Sequence, residues 1–159
     1  MAVFSVKGSI ISIGGALAMQ ADDFEASDFT SQTWVPIAEP ESMGTAGDAA
    51  AELTFDSVTA GRTRVLKGVT RAPAMELTFG ADYADAGQAA LRAAFLSQSD
   101  YAFKIELADK PSSGASPKNS QRLFIGKVMS INDTFDGIHK LTATVQPNSN
   151  IVAVNASAT

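Results

Sequence analysis

The sequence contains no cysteine and a single histidine among its 159 residues. The lack of cysteine excludes disulfide frameworks, thiol nucleophiles and zinc sites built on thiolates. Any imidazole base or histidine-metal cluster would have to be built on His139 alone. This residue follows closely on Asp136-Gly137, a position typical of an exposed strand histidine. The sequence therefore predicts no catalytic residue, no metal or cofactor, and a protein that is not an enzyme.

Positive charge and long apolar runs are also scarce. The net charge is -5, whereas a sequence-independent grip on nucleic acid needs clustered lysines and arginines that displace counterions from phosphates. No apolar run approaches the ~18 residues that a membrane span requires. We therefore expect neither nucleic-acid binding nor membrane insertion. With 45% hydrophobic residues, the chain can bury one sizeable core, which predicts a single domain over residues 1–159.

The N-terminal residues 1–20 allow two interpretations. Lys7, a mildly apolar run and the small residues Ala16-Leu17-Ala18 are the features of a weak signal peptide with Ala18 as its cleavage site. The run is interrupted by glycines and serines, and its valines and isoleucines favour extended structure. An N-terminal arm is one interpretation, and a cleaved, secreted β-sandwich binding module is the other.

The clearest local signals lie in residues 74–107. Apolar residues alternate with polar ones over 75–79 and again over 101–107, which predicts two strands. Between them, Asp85 followed by Gln88 has the spacing of a capping box and predicts a helix over about residues 86–98. A short helix needs a sheet to lie on. The predicted helix-sheet core consists of Leu77, Phe79, Leu91 and Phe95.

Most of the remaining chain has the pattern of strands and turns. Strands are predicted over 33–38 (at an edge because of Pro36), 52–58, 63–69, 122–135, 138–145 and 151–154, with Leu53, Phe55 and Val58 pointing inward. Asp136-Gly137 predicts a two-residue hairpin turn. We expect exposed loops over 42–51 and 109–121, and a possible C-terminal arm over 146–159. The predicted fold is mostly β, a β-sandwich or small barrel with one flanking α-helix.

Charges of opposite sign are segregated along the chain. No lysine or arginine occurs between Lys7 and Arg62, and the basic run that follows carries no acid. Such blocks suit a head-to-tail contact between copies, and the alternative is that both are ordinary solvated faces. The candidate stacking contact is Arg62, Arg64, Lys67 and Arg71. The candidate acidic lumen or stacking surface is Glu39, Glu41, Asp48 and Glu52.

Five stretches occur in an order that carries a family resemblance. They are residues 32–39 (QTWVPIAE), 52–55 (ELTF), 60–68 (AGRTRVLKG), 75–79 (MELTF) and 86–91 (AGQAAL). In this order the chain resembles the major tail tube proteins of long-tailed bacteriophages and related gene transfer agents, over roughly residues 30–145. The resemblance implies a virion structural protein whose hexameric rings stack head to tail into a hollow tube that conducts DNA from capsid to host.

The resemblance also implies partners and a location. It implies contacts with a tape measure protein, a tail terminator and distal tail proteins, passage of DNA without specific binding, and assembly in the bacterial cytoplasm into the virion tail. The tube of a contractile injection machine shares the expected architecture and stays an alternative. A small enzyme that uses scattered carboxylates is a further alternative, although no convergent pair of acids is evident in the sequence.

Overall fold

The computed structural model describes residues 3–159. It contains ten strands, one α-helix and a short 3-10 helix at Ala26–Phe29. The strands are β1 (Ile10–Ala16), β2 (Val35–Pro36), β3 (Pro40–Ser42), β4 (Ala49–Ser57), β5 (Arg62–Arg71), β6 (Met75–Gly80), β7 (Tyr101–Glu106), β8 (Gln121–Thr134), β9 (Lys140–Pro147) and β10 (Val152–Val154). The helix is α1 (Ala86–Leu96). The predicted class, mostly β with one flanking helix, is confirmed.

All strands except β4 and β5 form one antiparallel sheet. Its order is β2-β1-β7-β8-β9-β6-β3, with β10 beside the start of β8. The long strand β8 pairs with β7 along its first half and with β9 along its second. The ladder with β9 shifts register between Val128 and Ser130, and a bulge of this kind bends a strand. The strand β8 therefore connects the two halves of the sheet.

The sheet is covered on both faces where β7 and β8 pair. Phe103 and Phe124 belong to the main core, and their rings stack at 5.6 Å. Their sequence neighbours Ala102 and Ile125 point to the other face, as strand geometry requires, and pack in a second cluster with Phe24 and Phe29. Because both faces are covered, consecutive residues of β8 from Leu123 to Gly126 are all buried.

The helix α1 begins where the sequence predicted, but one half of the capping box differs. The Asp85 carboxylate accepts a hydrogen bond from Gln88 N at 2.8 Å. The Gln88 side chain does not return to Asp85. It is buried, accepts from Asp82 N at 2.9 Å, and donates to Gly80 O at 2.8 Å and Ala38 O at 3.2 Å. Gln88 thus joins the helix to the end of β6 and to the segment after β2.

The expectation for the helix face was wrong at Phe95. Leu77, Phe79 and Leu91 are fully buried together, whereas Phe95 is 42% exposed. The buried helix positions are Gly87, Gln88, Leu91 and Ala94, which recur at the spacing of one helix face. Ala94 occupies the core-facing position because Gly87 holds the helix close to β2. A Cβ on Gly87 would lie 2.2 Å from Pro36 O. The helix also ends at Leu96, earlier than residue 98.

Neither terminal segment is an arm along its whole length, which corrects the expectation for residues 1–20 and 146–159. β1 lies inside the sheet between β2 and β7, with Ile11 and Ile13 buried. At the other end, β10 pairs with β8. Residues 1 and 2 of the predicted arm lie outside the described residues. Cleavage at Ala18 would remove an interior strand, which counts against the secreted alternative.

Several loops differ from their predicted bounds. The β8–β9 connection runs over residues 135–139 and is longer than a two-residue turn, although Gly137 has the expected positive φ of 75°. The predicted strand over 33–38 is reduced to β2 at the sheet edge. Pro36 has no N–H to donate, which is tolerated at an edge because no further strand needs that hydrogen bond. The predicted loop over 42–51 is shortened by β3 and β4. Residues 109–121 are mostly exposed, and Lys118 is bridged to Ser157.

Candidate functional site: two assembly surfaces

Strands β4 and β5 form a separate two-stranded hairpin, called here the projecting hairpin (residues 49–71). Among residues 3–159 neither strand pairs with the main sheet. The expectation that Leu53, Phe55 and Val58 point into a core was wrong, because they are 54%, 61% and 99% exposed. Alternation indicates one apolar face, but it does not indicate that the chain itself covers that face. An isolated two-stranded hairpin is at best marginally stable in water, and within residues 3–159 no other strand pairs with this one.

The register gives the projecting hairpin two unlike faces. Leu53 lies opposite Leu66, and Phe55 lies opposite Arg64. Facing residues of an antiparallel pair share a side of the sheet, so these four residues form one surface, called here the apolar face. Its other members are Ser57 and Arg62. The reverse side, called here the charged face, carries Glu52 opposite Lys67, Thr54 opposite Val65 and Asp56 opposite Thr63.

The structure brings the four predicted basic residues onto one hairpin but not onto one surface. Arg62 and Arg64 lie on the apolar face, and Lys67 lies on the charged face opposite Glu52. Arg71 lies at the base opposite Ala49, beyond a register shift in the ladder. Strand alternation alone already places Lys67 on the face opposite to Arg62 and Arg64, whereas the position of Arg71 depends on the register shift, which spacing along the sequence does not reveal.

The four predicted acidic residues are divided between two ends of the strands. Glu39 lies beside the end of β6, where its carbonyl oxygen accepts from Gly80 N at 2.9 Å. Glu41 pairs with Lys140 at 2.8 Å, also at this end. Asp48 and Glu52 belong to the approach to the projecting hairpin and to the hairpin itself. The two pairs lie at opposite ends of β6, which rises about 3.3 Å per residue. The four acids therefore do not form one surface.

The end of the sheet remote from the hairpin carries an organised polar cluster. Arg92 forms two hydrogen bonds to the Asp133 carboxylate, at 2.8 and 3.3 Å, and its guanidinium stacks over the Tyr83 ring at 5.2 Å. His139 Nε2 lies 3.2 Å from the Tyr83 hydroxyl and 3.6 Å from Asp133 Oδ1. The hydrogen bonds from Arg92 hold the pKa of Asp133 below its usual range, and the same bonds raise the pKa of Arg92. Because Asp133 is already paired, the cluster is suited to holding loops in place.

Exposed apolar side chains that were not predicted from the sequence surround this cluster. Tyr83 is 67% exposed, Phe135 is 76% exposed and Ile138 is 69% exposed. Phe135 also contacts the His139 ring at a centroid distance of 4.7 Å. These residues with Glu39 and Asp136 are called here the far-end surface. His139 itself is a half-buried loop residue and not the exposed strand residue that was expected.

No other arrangement in the described part of the chain suggests a reaction. Within residues 3–159, no three histidine, cysteine or acidic side chains converge on a metal-sized site. No helix among those residues is long and apolar enough to cross a membrane. The surfaces that stand out are therefore the projecting hairpin and the far-end surface.

Comparison with solved structures identifies the fold. No protein-family model and no curated protein matches the sequence. The SPP1 tail tube protein superposes with a TM-score of 0.59 at 14% identity, over 98% of this chain and 81% of that one. A chain from the anti-feeding prophage baseplate gives 0.64 at 10% identity, over 98% of both chains. The PVC contractile injection system, in its sheath/tube terminator structure, gives 0.63 at 12% identity, over 97% and 98%. The resemblance to tail tube proteins is thus confirmed at the level of structure, and this chain has the fold of phage and contractile-injection tube proteins.

Proposed function

We propose that this protein is a non-enzymatic tube subunit whose rings stack head to tail into the hollow tail tube of a phage or gene transfer agent. The observation that carries the proposal is the projecting hairpin, which exposes Leu53, Phe55 and Leu66 on a fold shared with tube proteins over nearly the whole chain. Exposed apolar patches of this kind mark interaction sites. The proposed partner of this patch is a second copy of the chain.

Six subunits per ring is the proposed number. One of the similar structures, the anti-feeding prophage baseplate, belongs to a six-fold symmetrised assembly. Ring closure satisfies sheet edges that would otherwise pair without control. The subunit's net charge of -5 would make the wall of such a ring repel DNA phosphates, over a Debye length of about 8 Å at physiological salt. DNA would then pass without specific binding, and Glu39, Glu41, Asp48 and Glu52 are the candidate acids for the lumen or the stacking contact.

The stacking contact is assigned to the projecting hairpin. Arg62 and Arg64 would meet acids on the next ring, whereas Lys67 and Arg71 would act at the reverse side and the base. Such exposed charge pairs are screened by salt, so stacking should weaken as salt rises. The apolar face should leave a residual attraction that salt does not remove.

The tube of a contractile injection machine is the second candidate. It is supported by the injection-system chains that match this fold over nearly their whole length. A sheath would then be an additional partner. For a phage tail, the proposed partners are a tape measure protein, a tail terminator and distal tail proteins. Assembly would take place in the bacterial cytoplasm, with the protein ending in the virion.

Negative-stain electron microscopy of the concentrated wild-type protein tests the proposal. We expect rings or hollow tubes with six-fold symmetry. A protein that stays monomeric at high concentration and low salt, with no ring or tube in any field, would contradict it. A soluble monomer that captures a small ligand would favour a binding module instead.

Charge reversal tests the hairpin's part in stacking. The double variant Arg62→Glu/Arg64→Glu should stay folded and fail to elongate, because like charges would face each other across the contact. The control is Lys110→Glu/Lys118→Glu, which changes the net charge by the same amount on exposed residues of the 109–121 loop. Normal tubes from the first variant at low salt would rule out Arg62 and Arg64 as stacking residues. Loss of tubes in both variants would indicate an effect of net charge alone.

A further inference from the structure

We infer that the apolar face of the projecting hairpin docks on the far-end surface of a second copy of this chain. The inference rests on the proposed function and adds the receptor for the hairpin. The far-end surface consists of Tyr83, Phe135 and Ile138, bordered by Glu39 and Asp136. The charge pattern of the sequence predicts an acidic receptor, but Asp48 and Glu52 lie at the hairpin's own end of the strands.

The two surfaces lie at opposite ends of the same strands. β6 and β9 pair from Met75 with Val145 at one end to Gly80 with Lys140 at the other. The projecting hairpin joins the Met75 end through residues 72–74, whereas Tyr83, Phe135 and Ile138 lie just beyond the Gly80 and Lys140 end. A copy translated along the strands therefore presents its hairpin to the far-end surface of the next. This contact is heterologous and does not close on itself, which is the symmetry that a growing stack requires.

Both surfaces are apolar and unpartnered. On the hairpin, Leu53, Phe55 and Leu66 are 54%, 61% and 62% exposed. At the far end, Phe135 and Ile138 lie in the short loop between β8 and β9 and are 76% and 69% exposed. Large apolar and aromatic side chains at the centre of a contact, with charges at its border, are the usual anatomy of a protein interface.

The charges at the borders are complementary. Arg62 and Arg64 flank the apolar face of the hairpin, and within the described residues neither forms an ion pair. At the far end Glu39 and Asp136 are exposed, and they too form no ion pair within residues 3–159. Complementary charges fix the register of a contact and disfavour wrong partners.

The far-end surface is held in place before any partner arrives. The pair formed by Arg92 and Asp133 links α1 to the end of β8, and Tyr83 contacts both Arg92 and His139. The buried Gln88 fixes Asp82 and the end of β6 through hydrogen bonds of 2.9 and 2.8 Å. Docking on a surface that is already ordered loses less conformational entropy than docking on a mobile loop.

Disulfide trapping tests the contact, since the chain has no cysteine of its own. The variant Phe55→Cys/Ile138→Cys should give a ladder of covalent multimers when tubes are oxidised and run on a denaturing, non-reducing gel. The control is Phe55→Cys/Leu96→Cys, because Leu96 is 82% exposed but lies at the C-terminus of α1. Tubes of the first variant that give no ladder, or a stronger ladder from the control, would overturn the inference and leave the tube function intact. Absence of tubes from the wild-type protein would contradict the function itself.

A charge swap tests the same contact if the cysteine variant does not form tubes. Arg64→Glu and Asp136→Arg, each alone, should raise the protein concentration needed for tubes by about tenfold or more. The combination Arg64→Glu/Asp136→Arg should restore most of that loss, since the two charges again differ in sign. The matched control combines Arg64→Glu with Asp22→Arg, an exposed acid in another segment. Equal recovery in both combinations, or no recovery in either, would overturn the inference.

Discussion

β6 and β4 have the same alternating pattern and opposite surroundings. In β6, the side chains of Met75, Leu77 and Phe79 are each at most 1% exposed. In β4, Leu53 and Phe55 alternate with polar residues in the same way and are more than half exposed. The pattern reports that a strand has one apolar face. Whether that face is covered by the same chain or by another copy depends on which strands lie beside it.

The difference has a thermodynamic consequence. Strands of the main sheet gain their stability from burial within the monomer, at roughly 25 cal/mol for each Å² of apolar surface. A hairpin without a third strand or a packed face is marginal, so the projecting hairpin should gain its order mainly when a partner binds. Stability of the monomer and competence for assembly should therefore respond to different substitutions.

The largest expected effect is the difference in stability between variants of Phe79 and of Phe55. Phe79→Ala should destabilise the monomer by about 3–5 kcal/mol, as truncation of a buried aromatic residue does. Phe55→Ala, its matched control in the projecting hairpin, should cost less than about 1 kcal/mol while impairing tube formation. Urea unfolding followed by circular dichroism measures both. Similar losses of stability in the two variants would show that the hairpin packs within the monomer.

A second, smaller effect concerns the buried amide that joins α1 to β6. Gln88→Ala leaves the N–H of Asp82 and the carbonyl of Gly80 without their partner, which should cost about 1–3 kcal/mol. Gln98→Ala, an exposed residue, is the control and should be nearly neutral. Thermal unfolding compares them. A neutral Gln88→Ala would mean that water replaces the amide without loss, and the far-end surface would then not depend on it.

The third effect depends on pH and concerns the ion pair at the far end. The pKa of Asp133 is lowered in the folded state, chiefly by hydrogen bonds from Arg92. Its stabilisation is therefore complete above the ordinary carboxyl pKa and is lost as pH falls through the lower, folded value. Wild type should exceed Asp133→Asn in stability at neutral pH, and the difference should shrink in acid. The exposed Asp136→Asn is the control. A difference that stays constant with pH would contradict a role for the charge.

The smallest expected effect is in the loop over residues 109–121. Deleting residues 112–116 should change the stability of the monomer by less than about 0.5 kcal/mol, because these residues are exposed and bury no apolar surface. The loop is polar, so unlike the projecting hairpin it has no apolar face that needs a partner, and tube formation should also persist. Loss of the folded monomer would show that the contact of this loop with the C-terminal segment at Lys118 and Ser157 is structural.

The sequence alone determined what depends on neighbours along the chain. Alternation identified β6, β7, β8 and β9, the Asp85 cap located the start of α1, and Asp136-Gly137 marked the bend of a hairpin. These features follow from local backbone geometry and from side-chain hydrogen bonds that span a few residues. The tube fold itself was suggested by the resemblance of their order to tail tube proteins.

Only the tertiary structure decided which faces are covered and which residues meet. Phe95 turns away from the sheet because Gly87 sets how closely α1 packs, and Leu53 and Phe55 stay exposed because β4 pairs with no strand of the main sheet in the described chain. The register shift between β4 and β5 decides where Arg71 lies relative to the other basic residues, and the length of β6 separates Glu39 from Asp48. These outcomes depend on contacts between residues far apart in sequence, and local patterns carry no information about such contacts.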